Sequence, residues 1–349
     1  MKESVLDRGK EFKCVVWDLD ATMWHGTLLE DRGISLKPGI QSILEELDHR
    51  GILLSIASKN DREVAMEKLR ILGLEHFFLY PEIHWNSKST SIARIQKNLN
   101  IGMDTILFID DQPFERDEVL SEHPEVTCVD ASAYDTLLDE PRLNPRYITQ
   151  DSRRRRLLYV ENIEREQDEE SYEGPKEEFL AGLDMHFLIA EAGEQDLQRA
   201  EELTVRTNQL NTTGITYSYE ELDAFRRSPD HWLLVGELTD CYGSYGKIGL
   251  ALVERQPSCW HLKMLLMSCR VMARGLGNAL LTYIMCEAKE QGVRLLADFR
   301  KTDRNRTMYI AYRFSNFRQL SEDAEGHITL ENDLAKIQPH PPYLTVEVQ

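Results

Sequence analysis

The chain has 349 residues, 42% of them apolar and 29% charged, which describes an ordinary globular protein too long for one comfortable core. Its 41 basic and 60 acidic residues leave a formal charge of −19, a surface that repels nucleic acid and anionic lipid and so excludes both as general partners. The six cysteines, at 14, 128, 241, 259, 269 and 286, form no CxxC and no repeated spacing, which excludes a disulfide framework and a zinc site.

Residues 1–13 are polar and lack an apolar signal core, and no later apolar run reaches membrane-spanning length; a cytoplasmic location is expected. From 13 to 130, short apolar runs alternate with amphipathic stretches. The runs are 14–17, 52–57, 77–80, 105–109 and 126–129. Helical patterns follow start signals at Pro38-Gly39 and at Asn60-Asp61. Continuous apolar strands separated by helices predict a parallel sheet covered on both faces, with ligands at the carboxyl ends of the strands. Residues 151–178 are dominated by charge, from Arg153–Arg156 through 161–178, and read as a solvated helix and linker. A second domain follows from Met185. Its predicted strands are 185–190, 232–237, 247–253, 260–267 and 293–299, and its helices 196–205, 278–291 and 307–314. The expected organisation is an α/β parallel-sheet domain over 1–150, a charged linker over 151–182 and an α+β domain over 183–349.

Four strand ends of the first domain carry the chemistry. Asp18 and Asp20 leave the first strand toward one crevice; Ser58 ends the second strand, Lys88 opens the next helix, and Asp110-Asp111 end the fourth strand. Clustered carboxylates need a cation, and hard oxygen ligands favour Mg²⁺. A hydroxyl and a lysine opposite complete a cradle for a tetrahedral phosphate.

These four motifs, in this order and spacing, resemble the haloacid dehalogenase superfamily. The resemblance implies a Rossmann-like fold with Asp18 as nucleophile, Asp20 as general acid and base, and Ser58 and Lys88 on the phosphoryl oxygens. It also implies a magnesium site of Asp18, Asp20, Asp110 and Asp111. The intervals from Thr22 to the next helix and from Ser58 to Lys88 are short, so a capless, open site is expected.

In the second domain, Ser268–Gly277 passes from a strand to a helix through Arg274-Gly275-Leu276-Gly277. Bare N–H groups at a helix start bind phosphates, and the segment resembles the coenzyme-binding turn of GCN5-related acetyltransferases. The set running from 18–26 through Ser58–Asp61, Arg206–Asn211, 242–246 and 268–271 to 302–305 resembles the FkbH-like glyceryltransferases over about residues 10–320. That resemblance implies transfer of the glyceryl unit of 1,3-bisphosphoglycerate to the phosphopantetheine of an acyl carrier protein in polyketide biosynthesis. Phosphopantetheine or substrate contacts are expected at Thr207, Asn208, Gln209, Asn211, Arg270, Arg274, Gly275, Gly277 and Asn305. Cys269, beside Arg270, is the first choice for a catalytic thiol. Cys14 is second, about 13 Å from the crevice at 3.3 Å per residue, while Cys128 and Cys286 fit buried faces. His261 is expected to be structural, and Arg153–Arg156 to form a solvated helix face rather than a surface for an acidic carrier protein. The other reading is a magnesium-dependent phosphatase fused to a coenzyme A-dependent N-acetyltransferase.

Overall fold

The computed structural model describes residues 10–31, 33–207, 209–271, 274–302 and 304–349. It comprises two compact units, Met1–Val160 and Glu161–Gln349. The first is built on β1 (Cys14–Trp17), β2 (Trp24–His25), β3 (Ser35–Leu36), β4 (Leu53–Ser58), β5 (Glu82–Ile83), β6 (Ile106–Asp110) and β7 (Thr127–Asp130). Its helices are α1 (Ile40–His49), α2 (Arg62–Ile71), α3 (Lys88–Leu99), α4 (Pro113–Glu122) and the short α5 (Gln150–Arg153). Five strands form one parallel sheet in the order β5-β4-β1-β6-β7. Strands β1, β4 and β6 are buried along their whole length, as a parallel sheet covered on both faces requires. The antiparallel β2–β3 ribbon is inserted after β1. The helix starts follow from the sequence: Asp61 caps α2 by accepting from the Val64 N–H, and Gly39 opens α1.

One predicted strand is corrected. Residues 77–80 contribute a 3₁₀ turn (Glu75–Phe77) and a single bridge from Phe78 to Leu54, and the edge strand is β5, two residues further on. The side chains of 77–79 are buried in the core as a loop, so apolarity alone misplaced the strand.

α6 (Arg155–Ser171) runs across the boundary between the units, followed by α7 (Lys176–Gly182). The expected solvated face of this segment is also corrected. Arg155 donates to the Gly51 carbonyl at 2.6 Å and Arg156 pairs with Asp48 at 3.0 Å. Arg165 is fully buried, makes two bonds of 2.8 and 2.9 Å to Asp240, and lies 4.1 Å from the Tyr245 ring. Tyr245 donates to the same carboxylate, so the pair is hydrogen-bonded as a buried charge must be.

The second unit contains β8 (Met185–Glu191), β9 (His231–Asp240), β10 (Gly243–Gln256), β11 (Cys259–Met267), β12 (Arg294–Arg300), β13 (Arg318–Glu322), β14 (His327–Asn332) and β15 (Leu344–Val348). Its other helices are α8 (Leu197–Arg206), α9 (Tyr219–Arg227), α10 (Leu276–Glu290) and α11 (Arg306–Phe314). The sheet order is β13-β14-β12-β11-β10-β9-β8-β15. It is antiparallel except where β11 meets β12 and β8 meets β15. Helices α10 and α11 pack on one face with Trp260, Leu262, Leu295 and Phe299. Helices α8 and α9 cover the other face over β9, β10 and the end of β11. The molecule is therefore a mixed α/β protein of one parallel and one mixed sheet.

The β11–β12 pairing stops at Leu262–Ala297. Beyond it the strands part, and residues 210–212 fill the gap. Thr212 bonds to Leu265 through both its backbone and its hydroxyl, Leu210 accepts from the Met267 N–H, and Thr212 accepts from the Arg300 N–H. No helix of the described residues is long and apolar enough to cross a membrane.

Candidate phosphoryl-transfer and anion sites

In the first unit, adjacent parallel strands bring Asp18 just past β1, Ser58 at the end of β4 and Asp110 at the end of β6 to one edge of the sheet. Lys88, the first residue of α3, reaches into them. Its ammonium lies 2.7 Å from Asp18 Oδ1 and bonds Asp110. Asp18, Lys88 and Asp110 are 4, 3 and 0% exposed, so their charges cannot be solvated and must be met by one another. Asp18, Asp110 and Asp111 each present an oxygen within 4.8 Å of the others. Three carboxylates against one ammonium leave an excess of negative charge in a buried site, and an oxygen-only donor set suits a hard divalent cation.

Asp20 stands apart from that group. Trp24 Nε1 and the Leu28 N–H donate to its Oδ1 at 2.7 and 3.0 Å, and Asn60 Nδ2 donates to Oδ2 at 2.9 Å. Asp20 was expected among the metal ligands, but its carboxylate is not among the oxygens gathered within 4.8 Å, and both its oxygens are taken by these donors. Burial raises its pKa more than these donors lower it, and the Asp18 charge adds to the rise. Such a carboxyl can hold and release a proton. Asp110 is pushed up to about 6 by burial and by Asp18, against the pull of Lys88, and Asp111 is raised by the same first two causes. Lys88 is raised because Asp18 and Asp110 together outweigh its burial.

Thr22 is a positioning residue that the strand-end pattern left without a role. Its hydroxyl is buried, accepts from the Asp111 N–H at 3.2 Å and faces Asp111 Oδ1 at 3.4 Å. Lys59 pairs with Glu115 at 2.7 Å, fixing the turn after Ser58 against α4. Ser58 itself is buried, and its carbonyl accepts from the His84 N–H, which leads the chain toward Lys88.

In the second unit, Gly275 caps α10 at φ +79°, a conformation that favours glycine. At Gly277 a Cβ would meet Met267 Cγ at an ordinary 3.4 Å. Arg274 is 5% exposed with its guanidinium 5.8 Å from the Tyr245 ring, and its Nη1 has no partner among the described residues. A buried guanidinium left unpaired is costly. Arg270, half-buried, donates to the Tyr245 carbonyl at 3.1 Å.

The expected contact residues Asn211 and Asn305 meet, in a structural role. Asn211 Oδ1 accepts from the N–H groups of Thr213 and Gly214, and its amide donates to the Ile215 carbonyl. Asn305 donates to the carbonyls of Asn211, Thr212 and Arg300 and accepts from Thr302. Both amides are buried and occupied by backbone, so they lock the segment that fills the β11–β12 gap. Thr207 is buried at the end of α8 and Gln209 is half-buried; Asn208 and Met272 lie outside the described residues. Cys269 is half-buried in a 3₁₀ turn. Cys14 is fully buried, and burial pushes its thiol well up, which removes it as an accessible nucleophile. Cys128 is half-buried and pushed up to about 11 by burial; Cys286, expected on a buried face, is exposed.

Residues 15–123 match the haloacid dehalogenase-like hydrolase family. Human magnesium-dependent phosphatase 1 is 29% identical over 136 residues, 34% of this chain and 76% of that protein. The solved N-terminal part of BF1531 from Bacteroides fragilis, containing a phosphatase domain complexed with Mg, is 31% identical. It matches over 39% of this chain and 41% of that one, with a TM-score of 0.32. The ribosomal-protein-S18-alanine N-acetyltransferase of Escherichia coli is 17% identical over 42% of this chain and 92% of its own, with a TM-score of 0.33. The match to the haloacid dehalogenase-like hydrolase family thus falls within the N-terminal unit. The C-terminal unit is a mixed α/β domain.

Proposed function

We propose that this protein is a magnesium-dependent glyceryltransferase. It takes 1,3-bisphosphoglycerate, removes its phosphates and loads the glyceryl unit as a thioester onto the phosphopantetheine of an acyl carrier protein. The observation that carries the reading is the presence in one chain of an acidic cluster suited to a divalent cation and of a buried arginine with an unpartnered nitrogen. The first is the Asp18–Lys88–Asp110–Asp111 cluster and the second is Arg274 at the start of α10.

Asp18, Asp110 and Asp111 would hold magnesium, which when bound would neutralise charge on the transferring phosphoryl group. In the chemical step, Asp18 attacks phosphorus and the ester P–O bond breaks, leaving an aspartyl phosphate. Asp20 gives its proton to the departing alkoxide, then takes one from the water that hydrolyses the aspartyl phosphate. Lys88 and Ser58 hold the phosphoryl oxygens. This inert ester is where such machinery is needed. The acyl phosphate is already activated, so a thiolate can attack its carbonyl directly, and an attack by Asp18 there would discard the activation. The acyl step uses a thiol, Cys269 or that of the carrier. Arg274 and Gly275 would receive the phosphate of the pantetheine arm.

A second reading, a phosphatase fused to a coenzyme A-dependent N-acetyltransferase, draws on the same Arg274 centre, since the pyrophosphate of coenzyme A suits it equally. Incubation with Mg²⁺, an enzymatic source of 1,3-bisphosphoglycerate and a phosphopantetheinylated carrier, followed by intact mass measurement, separates the two. A glyceryl adduct on the carrier supports the transferase. Phosphate release without any adduct, together with acetyl-coenzyme A protection of the C-terminal unit on heating, favours the second reading.

A further inference from the structure

Outside both centres, β11 and β12 carry a compact polar cluster at the foot of the gap where they part. His261 Nε2 lies 2.6 Å from Asp298 Oδ1, and Lys263 Nζ lies 2.7 Å from Asp298 Oδ2. Trp260 and Leu262 point into the core beneath α10, and so do Leu295, Ala297 and Phe299. By strand alternation His261 and Asp298 therefore occupy the opposite face. The side chains of His261, Asp298 and Lys263 are 25, 27 and 34% exposed, so the cluster reaches solvent. An extra residue in β11 at Lys263, where the register with β10 shifts, lets the lysine share the Asp298 carboxylate with His261.

We propose that His261, oriented by Asp298, is the general base that takes the proton of the acceptor thiol in the acyl-transfer step. This rests on the glyceryl-transfer reading. With Asp298 accepting at Nε2, the lone pair of the neutral ring is at Nδ1, which makes no hydrogen bond among the described residues. The proton passes from the thiol to Nδ1, the thiolate sulfur bonds to the acyl carbon, and the C–O bond to phosphate breaks. Phosphate leaves with the electron pair and the imidazolium returns its proton to phosphate or water. Asp298 is a positioning residue. Burial alone would raise its pKa, but His261 and Lys263 hold it below the usual carboxylate range, so it stays ionised where the base must work. Glu254 lies directly across from His261 on β10, and Tyr217 is near enough to Asp298 that burial and the Asp298 charge, with that of Glu221, raise its pKa. Cys269 lies eight residues on, about 25 Å of extended chain. The base therefore serves a thiol arriving from outside the protein, which points to the carrier's own phosphopantetheine.

The test uses the full-length enzyme with Mg²⁺, an enzymatic source of 1,3-bisphosphoglycerate and a phosphopantetheinylated carrier. His261→Gln should slow carrier loading about 100-fold or more, while phosphate release from p-nitrophenyl phosphate and the melting profile stay as in the wild type. His261→Ala should regain loading when imidazole is added, and Asp298→Asn should move the acidic limb of the loading pH profile. Loading by His261→Gln within twofold of wild type would overturn the assignment, and so would a loss that imidazole does not restore. No loading by the wild type would instead overturn the glyceryl-transfer reading, and this inference with it.

Discussion

Lys88→Met isolates the electrostatic logic of the phosphoryl-transfer site. The side chain is buried, 2.7 Å from Asp18 and bonded to Asp110; methionine keeps its length and removes its charge. Breaking a buried pair by deleting one partner costs about 3–5 kcal/mol. Here the loss is softened because Asp110, already pushed up to about 6, can take up a proton at about 1.4 kcal/mol per pH unit. The expected loss for the metal-free protein is about 2–4 kcal/mol, or about 5–12 °C in the N-terminal transition. The Lys88 pKa is raised, so its ammonium is kept at neutral pH and lost as pH climbs through the raised lysine value, while Asp110 loses its charge as pH falls through about 6; an assay at pH 7.5 lies between the two. Magnesium replaces the missing positive charge, so it should raise the melting temperature more in the variant than in the wild type. Calorimetry with EDTA and with Mg²⁺ makes the comparison. An unchanged melting temperature without metal, or equal magnesium shifts in both proteins, would refute the view that Lys88 neutralises these carboxylates.

Lowering pH from 7.5 to 5.5 should weaken Mg²⁺ binding about fourfold through the single proton Asp110 must release, measured by isothermal titration; pH-independent affinity would contradict the assigned ligand. Arg274→Met should leave the C-terminal unit as stable or slightly more stable, since it removes an unpaired buried cation, while raising the KM for the carrier. A clear destabilisation would mean that Arg274 is a structural residue. Asn305→Ala should cost about 2–3 kcal/mol by releasing several buried hydrogen bonds, seen as an earlier C-terminal transition with phosphate release unaffected.

The phosphoryl-transfer site was legible because its groups sit at the ends of strands whose apolar runs are unmistakable: Asp18, Ser58 and Asp110 each follow four or more buried residues. Spacing could not tell that the Asp20 carboxylate stays outside the cluster, because its donors Trp24 and Leu28 lie in the following turn and Asn60 lies beyond another strand. The buried Arg165 was hidden in a charge run, since its partner Asp240 lies 75 residues away. Strand β13, exposed at every position, has no apolar alternation to announce it. Asn211 and Asn305 were expected to contact substrate, and only the fold reveals that they bond backbone and hold a segment between two strands.

The most direct test of the central claim is the intact mass of the phosphopantetheinylated carrier after reaction with Asp18→Asn in place of the wild type. The account predicts that the wild type leaves an unphosphorylated glyceryl thioester on the carrier. The variant, unable to form the aspartyl phosphate, should leave none. An unphosphorylated glyceryl adduct made equally by Asp18→Asn would contradict the claim that this site removes the ester phosphate.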